Sequence, residues 1–495
     1  MTFFGENCLS FATKKVIMVS WKIWDIIFRK IYGGYYMKSV KELNKVADAA
    51  TKSVRKVIDA VVDEQSFIES DRFVRSETDL GSAIGEGVVS GLATVLDQSV
   101  ALFAVNGDVL KGSIGKANSA KIVKCVNNAV KSSMPLIGIV DTMGARFAEG
   151  LEALEGYADI LHSFSEAAAS TLTVLVVKGN NFGSLSYLTG IADFTILYDK
   201  SVTATSSPLI IAAKSDKETG KVGSAAALAE AGIASLVVKT DEELAEAVRN
   251  ILSAVGDDVV ASEDDGNRTC PDLTAKTKMH DIVSSVVDNG SLFEIKKNYG
   301  KEAITGFARL NGISVGVVAT DPKVKDGKLT PDGIRKITSM LYLCDDFGLP
   351  VVTFVDNTGV ANCAKCQPDL MTSTARLLGE LGSISAAKIS VICGKATGLG
   401  YIAFASKKYY DYTIAWDKAT IGMMDNLASA ELVYADRIAK APDRDKAAKK
   451  LAKEYGEENT SAVVVAQDGY IDNVISPELT RPYLVGAVQA FINKR

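Results

Sequence analysis

The chain has 495 residues, 55 Lys and Arg against 60 Asp and Glu, and a formal net charge of −5. With 47% hydrophobic and 23% charged residues, it excludes a disordered or collagen-like chain and argues against a general nucleic-acid binder. At this length two or more domains are expected rather than one core.

Residues 1–36 differ in character from the rest of the chain. Lys14, Lys15, Lys22, Arg29 and Lys30 face only Glu6 and Asp25. The apolar stretch Val16–Ile31 is broken by Lys22, Asp25, Arg29 and Lys30, which is too interrupted for a spanning helix. It also lacks an unbroken apolar region before a small-residue cleavage site. An amphipathic surface segment is one reading of this atypical extension. We expect instead that translation starts at Met37, where helical sequence begins (Lys38–Val62). Residues 37–79 then form a helical lead-in to a first domain at 80–255.

In that domain the helical run Ile122–Lys131 precedes the apolar run Leu136–Val140, which ends in a turn from Asp141 to Gly144. The helical run Glu152–Ala168 carries His162. The apolar run Val174–Val177 leads into a second glycine turn at 179–184. Short apolar runs bounded by Pro, Gly or Asp read as buried strands, and their alternation with helices implies an α/β domain with a largely parallel sheet. Residues 256–274 are acidic and polar, as a linker should be, and a helical run at Met279–Val287 carries His280, so 256–290 is a connector. A second domain at 291–495 holds the helix Asp332–Asp346, the strands Val351–Val355 and Ile389–Ile392, and turns at 356–359 and 394–400.

The seven cysteines (Cys8, Cys125, Cys270, Cys344, Cys363, Cys366 and Cys393) are odd in number and lack a secreted-scaffold spacing. A reducing, cytoplasmic compartment is therefore expected. Cys363 and Cys366 form a CxxC. A structural zinc needs about four ligands, and the chain has no second CxxC and only two histidines. The pair is expected to be two incidental loop thiols, with no metal. Neither His162 nor His280 lies near an obvious nucleophile, which argues against a Ser-His-Asp or Cys-His mechanism.

The chain repeats itself. Residues 134–144 (MPLIGIVDTMG) resemble 349–359 (LPVVTFVDNTG), which places Asp141 and Asp356 215 residues apart. At the same offset Lys121-Ile122 matches Lys336-Ile337, and 179–183 (GNNFG) matches 394–398 (GKATG). Residues 195–200 (TILYDK) match 413–418 (TIAWDK) at an offset of 218, and 227–238 parallel 464–475. Five matches in one order indicate a duplicated domain, with a period too long for a solenoid.

Each copy places glycines just past a buried strand and before a helix, with Tyr187 and Tyr401 near its start. Glycine lets backbone N–H groups approach a ligand, and a helix N-terminus favours a negative oxygen. Such a turn can act as an oxyanion hole without a catalytic side chain. The turns at Gly144 and Gly359 end the adjacent strands and can line the same pocket. No Walker A motif and no GxGxxG opening a first βαβ unit is present.

At these residues the sequence resembles the carboxyltransferase subunits of biotin-dependent acyl-CoA carboxylases and decarboxylases, such as the acetyl- and propionyl-CoA carboxylase β chains and the methylmalonyl-CoA decarboxylase α subunit. Residues 141–150 (DTMGARFAEG) resemble the family's DSGGARxxEG, and 394–403 (GKATGLGYIA) its glycine-rich KAYGGAY stretch. Ala415-Trp416 with 421–424 (IGMM), and 469–481 (GYIDNVISPELTR), resemble its two later motifs. The resemblance implies two tandem crotonase-like α/β domains. It implies catalysis by backbone amides, one turn holding the thioester oxygen of acyl-CoA as an enolate and the other the ureido oxygen of carboxybiotin. Carried over by position, the acyl-CoA site is Gly183 and Ser184, in the N-terminal domain. The biotin site is Leu399 and Gly400, in the C-terminal domain. Gly144, Ala145, Gly359 and Gly398 line the substrate, Ile402 lines the acyl pocket, and Arg146 and Glu149 shape a loop. Met143, Ser184 and Leu399 replace family glycines, Asp417 replaces a proline, Asp425 a glycine, and 357–362 (NTGVAN) the family's VPGFxP. A backbone N–H survives any non-proline substitution.

No lysine lies in the biotinylation context, so biotin is expected on a partner carrier protein, with biotin carboxylase or membrane decarboxylase subunits as further partners. The family also implies a homo-oligomer, often a hexamer. Two alternatives stand beside this: a non-catalytic or regulatory paralogue, and another crotonase-type acyl-CoA enzyme. The latter usually needs a positioned Glu beside the oxyanion hole, and none is evident near Gly183 or Gly398.

Overall fold

The computed structural model describes residues 39–75, 83–207, 210–211, 222–256 and 261–494. The extension at 1–36 and the start at Met37 lie outside these residues. Contacts divide the chain into two units, residues 1–52 and 53–495. From Val40 onward the described part of the first unit belongs to helix α1 (Val40–Val61). In the second unit Val54, Val57, Ile58 and Val61 are buried, the spacing of one helical face.

The first lobe runs β1 (Ile68–Ser70), β2 (Val88–Val95), β3 (Gln98–Val105), α2 (Lys116–Ser132), β4 (Leu136–Thr142), α3 (Leu151–Ala168), β5 (Thr173–Phe182), α4 (Leu188–Ile191), β6 (Phe194–Tyr198), β7 (Val202–Ala204), α5 (Ala225–Glu230), β8 (Leu236–Val238) and α6 (Asp241–Val255). Helix α7 (Met279–Val286) leads to the second lobe: β9 (Phe293–Ile295), β10 (Ala303–Leu310), β11 (Ile313–Thr320), α8 (Pro331–Asp346), β12 (Val351–Asn357), α9 (Gln367–Ser383), β13 (Lys388–Thr397), α10 (Leu399–Phe404), β14 (Tyr412–Trp416) and β15 (Thr420–Gly422). It closes with α11 (Asn426–Val433), α12 (Ala435–Ala439), α13 (Arg444–Tyr455), α14 (Ala462–Gln467), β16 (Asn473–Ile475) and α15 (Thr480–Phe491).

Among the described residues each lobe holds one eight-stranded sheet, and the two share a topology. The first is ordered β1-β2-β3-β4-β5-β6-β8 with β7 on β5; the second is β9-β10-β11-β12-β13-β14-β16 with β15 on β13. From β3 to β8, and from β11 to β16, neighbours pair in parallel. Central strands such as β4 and β12 are covered on both faces, which is why they read as continuous apolar runs.

The duplication extends to backbone detail. Left-handed turns occur at Leu110–Gly112 and at Lys325–Gly327, with positive φ throughout. Lys121 Nζ donates to the Val88 carbonyl at 2.5 Å and Lys336 Nζ to the Ala303 carbonyl at 2.7 Å. Burial pushes both ammonium groups down to about 8. Asp193 accepts from the N–H of Thr173, the first residue of β5, at 2.8 Å, and Asp411 from that of Lys388, the first of β13, at 2.9 Å.

One face of the first sheet packs on α2 and α3 through Ile122, Val126, Tyr157, Ile160 and Phe164. The opposite face joins a core that continues into the second lobe, where the rings of Phe194 and Phe307 lie 5.9 Å apart. Truncating Phe307 to Ala there is expected to cost about 3–5 kcal/mol. The remaining face of the second sheet is covered by α7 and α15.

Candidate active site

In each lobe the two central parallel strands end together, and the glycine turns come directly after them. Gly144 and Gly359 come two residues after β4 and β12, with φ of 113° and 97°. Gly183 and Gly398 directly follow β5 and β13, with φ of 78° and 57°. This left-handed region favours glycine, because a Cβ would crowd the backbone. The turns in one lobe touch: a Cβ on Gly183 would stand 3.8 Å from Gly144 Cα, and one on Gly359 would stand 3.7 Å from the Thr397 carbonyl.

A half-buried carboxylate aligns the strand ends in both lobes. Asp141 accepts from the N–H of Asn180 at 2.8 Å, and Asp356 from that of Lys395 at 2.9 Å. The pairing register shifts between Val140 and Thr142, and again between Val355 and Asn357, so each Asp sits at a bulge. Gly179 and Gly394 must lack side chains because a Cβ would collide with these carboxylates. Burial raises both carboxyls above the usual range. The repeated Asp was visible in the sequence; its contact with the next strand was not.

In the first lobe Gly183 and Ser184 open a 3-10 turn, Gly183–Tyr187, that runs into α4. The expected helix therefore starts as a tighter turn, in keeping with the weak helix propensity of a Gly-Ser-Leu-Ser run. Among the described residues no group accepts from the N–H of Gly183 or Ser184. The Tyr157 hydroxyl lies 3.8 Å from the Cβ position of Gly183, buried and without a partner among the described residues. Burial pushes that phenol up. Asn181 Oδ1, Ser186 Oγ and Thr203 Oγ1 are likewise buried and unpartnered. Their counterparts at the repeat offsets are Ala396, Tyr401 and Ile421.

In the second lobe Gly398 is the N-cap of α10. Its N–H is taken, donating to the Gly422 carbonyl at 3.0 Å, so Gly398 shapes the turn and offers no donor. Leu399 and Gly400 are the first two helical residues, whose N–H groups have no intrahelical acceptor, and no group among the described residues accepts from them. These two donors sit at a positive helix end.

The loop after Gly144 is held by Arg146, whose buried guanidinium bonds Glu86 at 2.7 Å, Glu149 at 2.9 Å and the Ser113 carbonyl at 3.1 Å. Ala145 forms an isolated bridge with Ile114, as Val360 does with Leu329. Exposed apolar side chains lie close to both sets of turns along the chain. Met143, Phe147, Leu151 and Tyr187 flank the first, Phe147 with 92% of its surface free; Ile402, Met423 and Met424 flank the second. His162 and His280 are exposed and face Glu166 and Glu294.

Cys363 and Cys366 lie a few residues beyond Gly359 and are joined in a disulfide. The expectation of two incidental thiols is corrected: the single 3-10 turn between them brings the sulfurs together.

The comparisons with known proteins agree with this architecture. Residues 45–495 match the carboxyl transferase domain. The methylmalonyl-CoA decarboxylase α subunit of Veillonella parvula is 29% identical over 480 residues, covering 92% of this chain and 93% of that protein. The propionyl-CoA carboxylase β chain of Cereibacter sphaeroides is 30% identical over 470 residues, covering 90% and 91%. A crystal structure of hexameric transcarboxylase 12S, with methylmalonyl-coenzyme A and methylmalonic acid bound, aligns with a TM-score of 0.86 at 25% identity over 93% of this chain and 96% of that one. With its two similar crotonase-like lobes, the chain belongs to the carboxyl transferase family, as a biotin-dependent acyl-CoA carboxyltransferase.

Proposed function

We propose that the Gly183–Ser184 turn holds the thioester oxygen of a short acyl-CoA, and that the Leu399–Gly400 turn holds the ureido oxygen of biotin carried on a partner protein. The observation behind this reading is the pair of open N–H groups at each turn, on equivalent strand ends of a duplicated fold. As the acyl α-carbon gains or loses its carboxyl group, negative charge moves onto the thioester oxygen. Two fixed backbone donors stabilise that charge without reorganising. Biotin, when bound, supplies or accepts the carboxyl group; Leu399 and Gly400 orient it through its ureido oxygen.

The exposed apolar side chains close to both sets of turns support a homo-oligomer in which the first-lobe site of one copy faces the second-lobe site of another, since exposed apolar patches mark interaction surfaces. A hexamer is the form suggested by the resemblance to transcarboxylase 12S. Biotin carrier, biotin carboxylase or membrane decarboxylase subunits are the partners this activity requires. We place the work in the cytoplasm; among the described residues no helix is long and apolar enough to cross a membrane. Domain limits of 80–255 for the acyl-CoA side and 291–495 for the biotin side complete the proposal.

The test is a carboxyl-transfer assay with free biotin or a biotin carrier against malonyl-, methylmalonyl- and glutaconyl-CoA. Transfer with at least one of these supports the reading. Tight acyl-CoA binding without transfer to any biotin acceptor would favour the regulatory paralogue.

A further inference from the structure

The loop that carries Cys363 and Cys366 begins at the second site. Asn357 ends β12 and its Oδ1 accepts from the Gly359 N–H at 2.8 Å, while Gly359 lies against Thr397, the residue before Gly398. Up to Ala361 the loop is pinned to the body, with Leu329 N–H donating to Gly359 and Ala361 N–H donating to Leu329. Beyond Ala361 the hydrogen bonds around Cys363 and Cys366 stay within the loop: Cys363 N–H to Ala361, Cys366 N–H to Cys363, and Gln367 Nε2 to Cys363. The disulfide is thus the covalent fastening between this loop and the start of α9. The Cα atoms are 5.2 Å apart, within the usual range for the bond.

A link that closes so short a loop gains little chain-entropy stabilisation, so global stability is a poor reason for it. Both sulfurs belong to half-buried residues, with Cys366 packed against the main core. The other described cysteines, Cys125, Cys270, Cys344 and Cys393, are buried and unpaired, and burial pushes their thiols up. Among the described cysteines, therefore, exchange chemistry is concentrated at this pair. In a reducing compartment a disulfide is characteristically transient and redox-sensing.

We propose that Cys363 and Cys366 form a reversible thiol–disulfide exchange site for a small-molecule thiol couple, and that its state sets the order of the loop bordering the Gly398 turn. An external thiolate attacks Cys366 Sγ, the bond to Cys363 breaks, and Cys363 leaves as a thiolate. The Cys366 N–H already donates to that sulfur at 3.2 Å. A second external thiol releases Cys366 from the mixed disulfide. The protein gains two electrons and two protons, and two small thiols leave as one disulfide.

Any effect on biotin rests on the assignment of the second turn proposed above; the exchange chemistry and the loop order do not. The full chain is equilibrated at graded ratios of reduced to oxidised glutathione. Alkylation with mass spectrometry reads the state of the pair, and amide hydrogen exchange follows residues 359–367. We expect one reversible two-electron transition, with exchange in that segment at least about threefold faster in the reduced form. Cys363→Ser and Cys366→Ser should show the fast rate at every ratio. A pair that stays open, or stays closed, at all ratios overturns the proposal, as does identical exchange in the two states. In the same buffers, a KM for biotin that follows the transition while the acyl-CoA KM stays constant ties the loop to the second turn; KM values that ignore it overturn that tie. A working transition in a chain that transfers no carboxyl group supports the switch and counts against the biotin assignment.

Discussion

Gly400 packs directly on Asn357: a Cβ at Gly400 would stand 2.5 Å from Asn357 Oδ1. Asn357 cannot easily yield. It is buried at the end of β12, donates from Nδ2 to the Gly327 carbonyl at 2.7 Å, and accepts from the Gly359 N–H. One amide side chain therefore links the left-handed turn at Gly327, the turn at Gly359 and the helix start at Gly400.

Gly400→Ala should accordingly perturb both glycine turns of the second lobe. Overpacking of this kind typically costs about 1–3 kcal/mol. The expected outcome is a lower melting temperature and a larger loss of carboxyl transfer to biotin than of acyl-CoA binding. Thermal melts and separate acyl-CoA titrations check it; unchanged transfer would show that the Leu399–Gly400 donors are not used.

Ser184 offers a cleaner test of the first turn. Ser184→Pro removes one N–H outright, whereas Ser184→Gly keeps it and restores the family residue. Loss of one oxyanion donor costs roughly 2.7–4 kcal/mol, about a hundred- to a thousand-fold in rate. The proline variant should lose nearly all transfer and the glycine variant should keep or gain it. Circular dichroism on both controls for distortion of the turn by proline. A folded proline variant with full activity places the acyl-CoA oxygen elsewhere.

The two histidines should be dispensable. Both are exposed, His162 on α3 and His280 on α7. His162→Ala and His280→Ala are expected to leave carboxyl transfer within about threefold of the parent, since catalysis at the turns needs no imidazole. A folded variant with a loss of about a hundred-fold or more would reveal general acid–base work.

Asp193 predicts a pH dependence. Burial raises its carboxyl from 3.8 to about 6, against the hydrogen bonds from Thr173. Between those values the folded chain holds a proton that the unfolded chain has released. This contribution is therefore present below pH 4 and is lost as pH rises through about 6. Asp193→Asn keeps an acceptor for the Thr173 N–H and removes the titration. Denaturant melts from pH 4 to pH 7 should show a flatter profile for the variant than for the parent, whose other carboxylates add their own slopes.

Strand positions, the doubled order of elements and the two glycine turns were legible in the sequence, because buried parallel strands must be apolar along their whole length and a left-handed turn selects glycine wherever it recurs. The offset between Asp141 and Asp356 was equally plain. Proximity across the fold was not. That Asp141 fastens the next strand, that Asn357 wedges against Gly400, and that the Gly398 N–H is spent on Gly422 while Leu399 and Gly400 stay open all depend on strand register and on chain segments far apart in sequence. The Cys363–Cys366 bond makes the same point locally: the CxxC spacing permits a metal ligand pair, a dithiol or a disulfide, and the path of the loop after β12 decides among them. Residue type and period determine which segments fold and where the backbone must turn, whereas the tertiary structure alone decides which amide is already satisfied and which remains to meet a ligand.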